Sequence, residues 1–375
     1  MAQSVPASGV QAHRVIFIDL GRFVALVFML YGHTVSALLA PEYQRGAWFA
    51  VWQFQRGLTS SLFLLLAGFA FSVATSRHWA AHRGYSPALI RRVRRFGFFI
   101  LLGYALHLPV GRLVQLPSAT PAQWQSFLAV DVLQLIGVAF LGLQALVLAT
   151  RSRWAFTAAG SVLAVAAVSL TPWVWDVEWA GTMPAGLAAY LSPATGSLFP
   201  LFPFGAYVLS GAVLGQLYAE CGAARLPAFA NAALLGPGIV LVLTAVGLSS
   251  GVVPSGHVVV QVVMRTGASL VLVGAIAHAS QRLARLPRFF GAVAQETLLI
   301  YFVHLCIVYG SIWNSGLRQV LGASLGPRET LMCVVVLLAS MAGLGWAWHG
   351  LKHARPRVAQ WARVAVGIVL VARLL

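Results

Sequence analysis

Residues 15–40, VIFIDLGRFVALVFMLYGHTVSALLA, form one long apolar stretch that includes Asp19, Arg22 and His33. A helix of this length crosses the hydrocarbon core of a bilayer, which is about 30 Å thick. Charged side chains inside a membrane are costly and usually face the interior of a helix bundle. The stretch therefore predicts a first membrane-spanning helix with one polar face.

Comparable apolar windows recur along the whole chain. Hydrophobic residues make up 59% of the 375 positions and charged residues only 9%, so water cannot be the main solvent. Further windows of about 20 residues lie at 52–76, 96–116, 127–149, 155–172, 199–219, 231–250, 258–280, 291–313 and 329–350. None shows the short alternation of barrel strands, and helices satisfy their own backbone in lipid. We expect an all-α integral membrane protein of about ten transmembrane helices.

The whole chain, 1–375, is expected to form a single transmembrane domain. Segment 1–14 precedes the first span, and 351–375 adds a basic segment and a short apolar tail. The tail, 361–375, lies at the membrane interface or forms an eleventh helix.

The distribution of basic residues predicts the orientation. Sixteen of the 25 Lys and Arg fall on one side of the predicted spans, and only Arg45, Arg318 and Arg328 fall on the other. Because cytoplasmic loops are enriched in Lys and Arg, this pattern places the N-terminus in the cytoplasm. The net charge of +17 thus reflects loops between apolar stretches, and we do not expect a nucleic-acid partner. The three cysteines show no spacing typical of a metal site.

The first span presents a polar track. Asp19 and Arg22 are three residues apart, and Arg22 and His33 are eleven apart, so all three share a helix face over about 16 Å. The simpler interpretation is a structural Asp19–Arg22 ion pair with a hydrogen-bonded His33. The alternative is a functional path across the membrane.

Other predicted spans place polar side chains at the depth of His33. These are His107, Asp131, Gln134, Arg265 and His304. Histidine is the side chain most readily used as a general base near neutral pH, and a carboxylate such as Asp131 can orient an imidazole. One cavity could collect these groups, although a structural role for His107 is the simpler interpretation.

Four arginines, Arg91, Arg92, Arg94 and Arg95, directly precede the apolar run from Phe96. The cluster acts either as a topology signal that attracts anionic lipid, or as a phosphate site, since the planar guanidinium suits bidentate phosphate contacts. A cytoplasmic nucleotide such as coenzyme A fits the second interpretation.

The ordered set of these motifs resembles the transmembrane acyltransferases, the superfamily of acyltransferase-3 proteins and heparan-alpha-glucosaminide N-acetyltransferase. The matching stretches are Arg14–Arg22 followed by His33, SLFLLLAGFAFS at 61–72, the cluster 91–95, Asp131–Gln134, FPLFPFG at 199–205 with Gly211 and Gly215, and Glu296–His304. One departure is Gly21-Arg22-Phe23, where many members have Leu-Arg-Gly, which puts the subfamily in doubt.

The resemblance implies transfer of an acyl group, commonly acetyl, from cytoplasmic acyl-CoA to a hydroxyl or amine of an extracytoplasmic or lipid-linked acceptor, often a sugar. His33 would be the catalytic base or acyl relay, and Arg22, with Asp19, would help to position the donor. Arg91, Arg92, Arg94 and Arg95 would hold the phosphates of acyl-CoA. The acceptor side would be lined by His304, Tyr301, Asp131, Gln134 and Arg265. No metal and no permanently bound cofactor is expected.

A second class of function stays open at this point. A proton-coupled transporter or flippase would also use intramembrane His, Asp and Arg side chains, although the chain shows no inverted repeat. Short loops and abundant arginine favour a bacterial inner membrane, and the sequence leaves a homodimer open.

Overall fold

The protein is almost entirely helical in the computed structural model, which describes residues 15–251, 253–254, 256–283 and 285–375. The predicted cytoplasmic segment 1–14, with Arg14, lies outside these residues. Within them the α-helices are α1 (Ile16–Leu38), α2 (Gly46–Ser76), α3 (Trp79–His82), α4 (Pro87–Leu106), α5 (Pro121–Leu128), α6 (Val132–Ala149), α7 (Arg153–Ser169), α8 (Thr171–Asp176), α9 (Ala185–Ala188), α10 (Leu201–Cys221), α11 (Leu226–Phe229), α12 (Gly236–Ser249), α13 (Val258–Gln281), α14 (Arg288–Gln295), α15 (Thr297–Tyr309), α16 (Leu317–Leu321), α17 (Pro327–Ala354) and α18 (Pro356–Ala372).

Shorter elements connect these helices. The 3-10 helices are Pro41–Tyr43, Leu113–Ser118, Pro193–Thr195 and Ala223–Arg225, and a π-helix, Ala230–Leu235, leads into α12. Two short antiparallel strands, β1 (Gly310–Ser311) and β2 (Asn314–Ser315), form a hairpin after α15. The all-α membrane class is confirmed.

Fewer helices than expected are long and apolar enough to cross a membrane. In the described residues there are seven, or eight if one bent pair counts as a span: α1, α2, α6, α10, the continuous helical stretch Ala223–Ser249, α13 and α17, with α14 and α15 as the bent pair. The predicted count of ten or eleven is therefore not supported.

Three predicted spans account for the difference. Of the segment expected at 96–116, only residues 96–106 lie in α4, which begins at Pro87 and contains the four arginines, so no long window of this helix is apolar throughout. The segment at 155–172 is α7, a helix of only 17 residues. The segment at 291–313 is broken at Glu296, where α14 and α15 meet at 69°.

The apolar tail is a helix that runs back along the bundle. Helix α18 begins directly after α17, and its C-terminal end is hydrogen-bonded to two segments that are distant in sequence. The Trp313 indole donates to the Leu370 carbonyl at 3.2 Å, and the Leu113 amide donates to the Leu374 carbonyl at 2.7 Å. With 17 residues, α18 is about 25 Å long.

Helix α1, which carries Asp19, Arg22 and His33, packs against α2, α13, α14, α15, α16 and α17. The neighbouring pair α2 and α10 is held together at glycines. A Cβ at Gly68 would overlap the carbonyl oxygen of Val208, and one at Gly211 would overlap that of Leu65. Such close approach of backbones is the usual way in which helices pack in lipid.

We call the side of the bundle at which α1 begins the arginine side, and the opposite side, at which α1 ends, the His33 side. The cytoplasmic placement of the arginine side and the single-domain organisation stay predictions.

Candidate active site

His33 and His304 form a hydrogen-bonded pair between α1 and α15. Nδ1 of His33 lies 2.9 Å from Nε2 of His304, and the two rings stack at 5.1 Å between centroids with 16° between planes. His304 is completely buried, whereas His33 is partly exposed. The structure thus brings together two of the predicted site residues that are 271 positions apart.

The hydrogen bonds of this pair fix its tautomers in the neutral state. Nδ1 of His304 lies 2.8 Å from the carbonyl oxygen of Ile300, which can only accept, so this nitrogen carries the proton. Nε2 of His304 then has a lone pair and accepts from Nδ1–H of His33. Nε2 of His33 is left with a lone pair, as a general base requires.

Asp131 and Tyr301 continue this network. The Tyr301 hydroxyl donates to Oδ2 of Asp131 at 3.3 Å, and the Tyr301 ring packs edge-on against His304 at 5.6 Å. The Asp131 carboxylate also accepts from the Val132 amide at 2.7 Å, as the N-cap of α6, and lies 3.3 Å from Nε2 of His107. His107 is therefore a partner of a predicted site residue and not an isolated polar group.

A large cavity opens on the arginine side. Its volume is about 750 Å³, within the range of small-molecule and cofactor sites. Five arginines line it, and Phe63, Phe96, Phe99 and Tyr301 contribute to its apolar walls; the arginines are Arg22, Arg77, Arg91, Arg92 and Arg95. Arg94, the fourth member of the predicted cluster, is not among the lining residues.

Arg92 is held in place by α2 and still has a free donor. Its Nη2 donates to the Thr75 hydroxyl at 2.6 Å and to the Phe71 carbonyl at 3.2 Å, and its guanidinium lies 4.0 Å from the centroid of the Phe71 ring. Its Nη1 is buried and has no hydrogen-bond partner among the described residues. Buried donors are normally satisfied, so a ligand atom is the expected partner.

His82 stands beside Arg92 in the same cavity. Its Nδ1 is also buried without a partner in the part of the chain that the structure describes. Burial, together with the nearby charges of Arg92 and His78, lowers the pKa of His82. A neutral imidazole here offers a hydrogen bond without adding repulsion to the arginines.

The polar face of α1 begins in this cavity. Asp19 and Arg22 both line it, and Nη1 of Arg22 lies 3.9 Å from Oδ1 of Asp19. This is a loose ion pair at the level of the arginine cluster. His33, at the far end of the same helix, does not line the cavity.

A second cavity, of about 370 Å³, lies beyond Tyr301 and is lined by His107, Gln125, Ser126 and Asp131. The two cavities therefore meet at one hydrogen bond, since Tyr301 lines the first and Asp131 lines the second. We call this Tyr301–Asp131 contact the partition.

Two predicted acceptor-side residues lie elsewhere. Gln134 is completely buried against Gly103 of α4, and its amide has no hydrogen-bond partner among the described residues. Arg265 packs against Gly57 of α2, where a Cβ would lie 2.8 Å from the guanidinium. Neither residue lines either of the two cavities described above, and their predicted role in acceptor binding stays a prediction.

Three site residues were not expected from the sequence: Arg77, His82 and Tyr309. Arg77 and His82 follow α2 and precede the arginine cluster, so their closeness to that cluster in the sequence could have identified them. The Tyr309 ring packs edge-on against His33 at 5.6 Å, and its hydroxyl donates to the His33 carbonyl at 3.4 Å. In the described ranges no three His, Cys, Asp or Glu side chains are grouped to hold a metal ion.

Comparison with known families identifies the family of the chain. A family model described as heparan-alpha-glucosaminide N-acetyltransferase, catalytic, matches residues 14–250. This stretch covers more than half of the chain and includes His33, the arginine cluster and Asp131, while Tyr301 and His304 follow it. No curated protein matches the chain. The family does not favour the transporter alternative, and the chain belongs to the catalytic-domain family of heparan-alpha-glucosaminide N-acetyltransferase, a family of membrane acetyltransferases.

Proposed function

We propose that the protein transfers an acyl group, acetyl in the first instance, from acyl-CoA to a hydroxyl or amine of an acceptor, most simply a sugar. The donor enters from the arginine side, which is cytoplasmic, and the acceptor is extracytoplasmic or lipid-linked. In this topology the chain crosses a bacterial inner membrane ten or eleven times, because α4, α7 and α18 cross it in addition to the long apolar helices. The observation that supports the proposal best is the arginine-lined cavity that ends at Tyr301, next to the His33–His304 pair.

The chemistry of the cavity suits acyl-CoA. Coenzyme A carries phosphate groups at one end and a thioester at the other, so its site needs cations at the entrance and apolar walls further in. Arg91, Arg92 and Arg95 supply the cations, with a buried free donor on Arg92. Phe96 and Phe99 follow on the same helix, one to two turns deeper.

The reaction is a direct acyl transfer. The acceptor oxygen or nitrogen attacks the thioester carbonyl, a C–O or C–N bond forms, the C–S bond breaks, and coenzyme A leaves as its thiolate. Nε2 of His33 takes the proton of the acceptor, and His304 holds His33 in the tautomer that allows this. The proton then leaves with the coenzyme A thiol, which restores neutral His33.

Tyr301 separates the donor from this base in the resting arrangement. Its ring stands between the end of the cavity and His304, and its hydroxyl is bound to Asp131. The donor thioester and the acceptor meet when this side chain moves aside. The partition thereby keeps water on the His33 side away from the thioester.

Binding and slow hydrolysis of acetyl-CoA by purified protein test the proposal. Three proteins are compared: the wild type, His33→Ala, and a variant with Arg91, Arg92 and Arg95 replaced by Gln. We expect the arginine variant to lose binding, and His33→Ala to bind normally but lose turnover by about 10²- to 10⁴-fold, the usual contribution of a general base. A wild type that does not bind acetyl-CoA would contradict the proposal.

A further inference from the structure

Two arginines lie close to the contact between His33 and Tyr309. The side chain of Arg56, on α2, passes along α1, where its Cγ is 3.7 Å from a Cβ built at Gly32. Arg318, on α16, lies with its guanidinium 5.9 Å from the centroid of the Tyr309 ring. Both arginines are close enough to Tyr309 for their charge to act on its hydroxyl, and Arg56 acts in the same way on His33.

Neither arginine is neutralised by the protein. In the residues that the structure describes, neither Arg56 nor Arg318 forms an ion pair with a carboxylate, and both side chains are exposed. Arg56 instead lies 5.8 Å from the centroid of the Trp52 ring, whose indole nitrogen is buried and has no hydrogen-bond partner among the described residues. Two uncompensated cations near a membrane, close to the contact between a reactive histidine and Tyr309, form a site for an anion.

The exposure of His33 shows where a substrate can reach it. His304 is completely buried on one side of the pair, and Tyr309 covers the carbonyl of His33. The partly exposed His33 ring lies in neither cavity lining, and its neighbours at this end of α1 are Arg56 and Tyr309. An acceptor that reaches the exposed part of His33 therefore meets Arg56, and Arg318 lies over the Tyr309 ring that packs against His33.

We propose that the acceptor carries a phosphate or carboxylate group, and that Arg56 and Arg318 bind this group and so place the accepting hydroxyl or amine at His33. This inference rests on the proposed acyl transfer and names the chemical class of its acceptor. The paired guanidiniums offer two planar forks that suit bidentate contacts with either anion. The anion belongs to a lipid-linked sugar phosphate held in the bilayer, or to a soluble anionic saccharide.

Matched probes test the anion site. In the soluble arm, binding of glucosamine 6-phosphate and of glucosamine is measured on the purified protein. In the lipid arm, acetyl transfer is measured in phosphatidylcholine nanodiscs that contain either phosphatidylglycerol or a neutral galactosyl diacylglycerol, both of which carry free hydroxyls. We expect at least one arm to favour the anionic probe by about 10-fold or more, because two charge-assisted contacts are gained.

The variants Arg56→Gln and Arg318→Gln should reduce this preference to less than about threefold, since each removes one charged fork. Arg112→Gln, which removes a third exposed arginine outside this site, should leave it unchanged. A preference in the soluble arm identifies a soluble saccharide, and one in the lipid arm identifies a lipid-linked acceptor. Equal behaviour of anionic and neutral probes in both arms overturns the inference.

Hydrolysis of acetyl-CoA without any acceptor is measured on the same preparations. It reports on the donor half of the reaction alone. Wild-type protein that hydrolyses acetyl-CoA but shows no anion preference refutes only the acceptor assignment. Absence of turnover with a retained anion preference in the binding of the soluble probes refutes the acyl transfer instead.

Discussion

Replacing His304 by alanine should lower the turnover number without weakening donor binding. His304 accepts the proton of His33 Nδ1 at 2.9 Å and donates its own proton to the Ile300 carbonyl. Without it, Nδ1–H of His33 has no acceptor in a buried position. The His33 proton then moves to Nε2, which removes the lone pair that the acceptor needs.

The size of this effect follows from the lost hydrogen bond. A buried donor without a partner costs about 1–3 kcal/mol, and each 1.36 kcal/mol is a factor of ten, so the active tautomer becomes about 5- to 150-fold rarer. We expect kcat for acetyl transfer to fall by a similar factor. Because His304 does not line the arginine-side cavity, KM for acetyl-CoA should stay within about twofold.

The assay is steady-state transfer from labelled acetyl-CoA, with thermal unfolding measured on each variant. Cys306→Ala, two residues further along α15, is the matched control and should retain kcat. Imidazole added to His33→Gly should restore part of the activity, whereas it should not restore His304→Ala while His33 holds its proton on Nε2. If His304→Ala kept full kcat, or raised KM instead, the tautomer account would be refuted.

Three further changes probe the cavity, the partition and the packing. Arg92→Gln should raise the Kd for acetyl-CoA about 10- to 100-fold, because a charge-assisted contact is lost. The control Arg94→Gln should change this Kd less than about threefold, and calorimetric titration of both variants measures the difference. Tyr301→Ala should speed acetyl-CoA hydrolysis in the absence of acceptor several-fold by admitting water, and Tyr301→Phe should do so less; equal rates would count against a partition. Gly211→Ala should destabilise the protein by about 1–3 kcal/mol or more, because the added methyl group overlaps with α2. A methyl group at Gly247 contacts no other atom, so Gly247→Ala is the control. Equal thermal unfolding of the two variants in detergent would disprove the tight contact.

The positions on α1 could be predicted from the sequence because a charge in an apolar stretch is rare enough to be informative. The three-residue spacing predicted that Asp19 and Arg22 share a helix face, and both line the arginine-side cavity. For the His33–His304 pair the sequence predicted only a shared depth in the membrane, since no local pattern reports that a residue 271 positions further along the chain will pack against α1.

Other features escaped the sequence for physical reasons. A hydropathy window measures average composition and does not show whether a helix is continuous, so the prediction missed the break at Glu296. The buried Glu296 carboxylate lies 2.6 Å from Nζ of Lys352 and 3.2 Å from Nδ1 of His349. Both partners are on α17, which no local window around Glu296 contains. The four arginines appeared as one cluster, yet their side chains spread around a helix, and only three of them reach the cavity.

The most direct test of the central claim is the sidedness of acetyl-CoA consumption in proteoliposomes of known orientation. Acetyl-CoA is supplied on one face at a time, and its hydrolysis or transfer is followed for the wild type and His33→Ala. We predict consumption only from the face that carries Arg91, Arg92 and Arg95, and its loss in His33→Ala. Consumption from the His33 face alone, or full turnover by His33→Ala, would contradict the account.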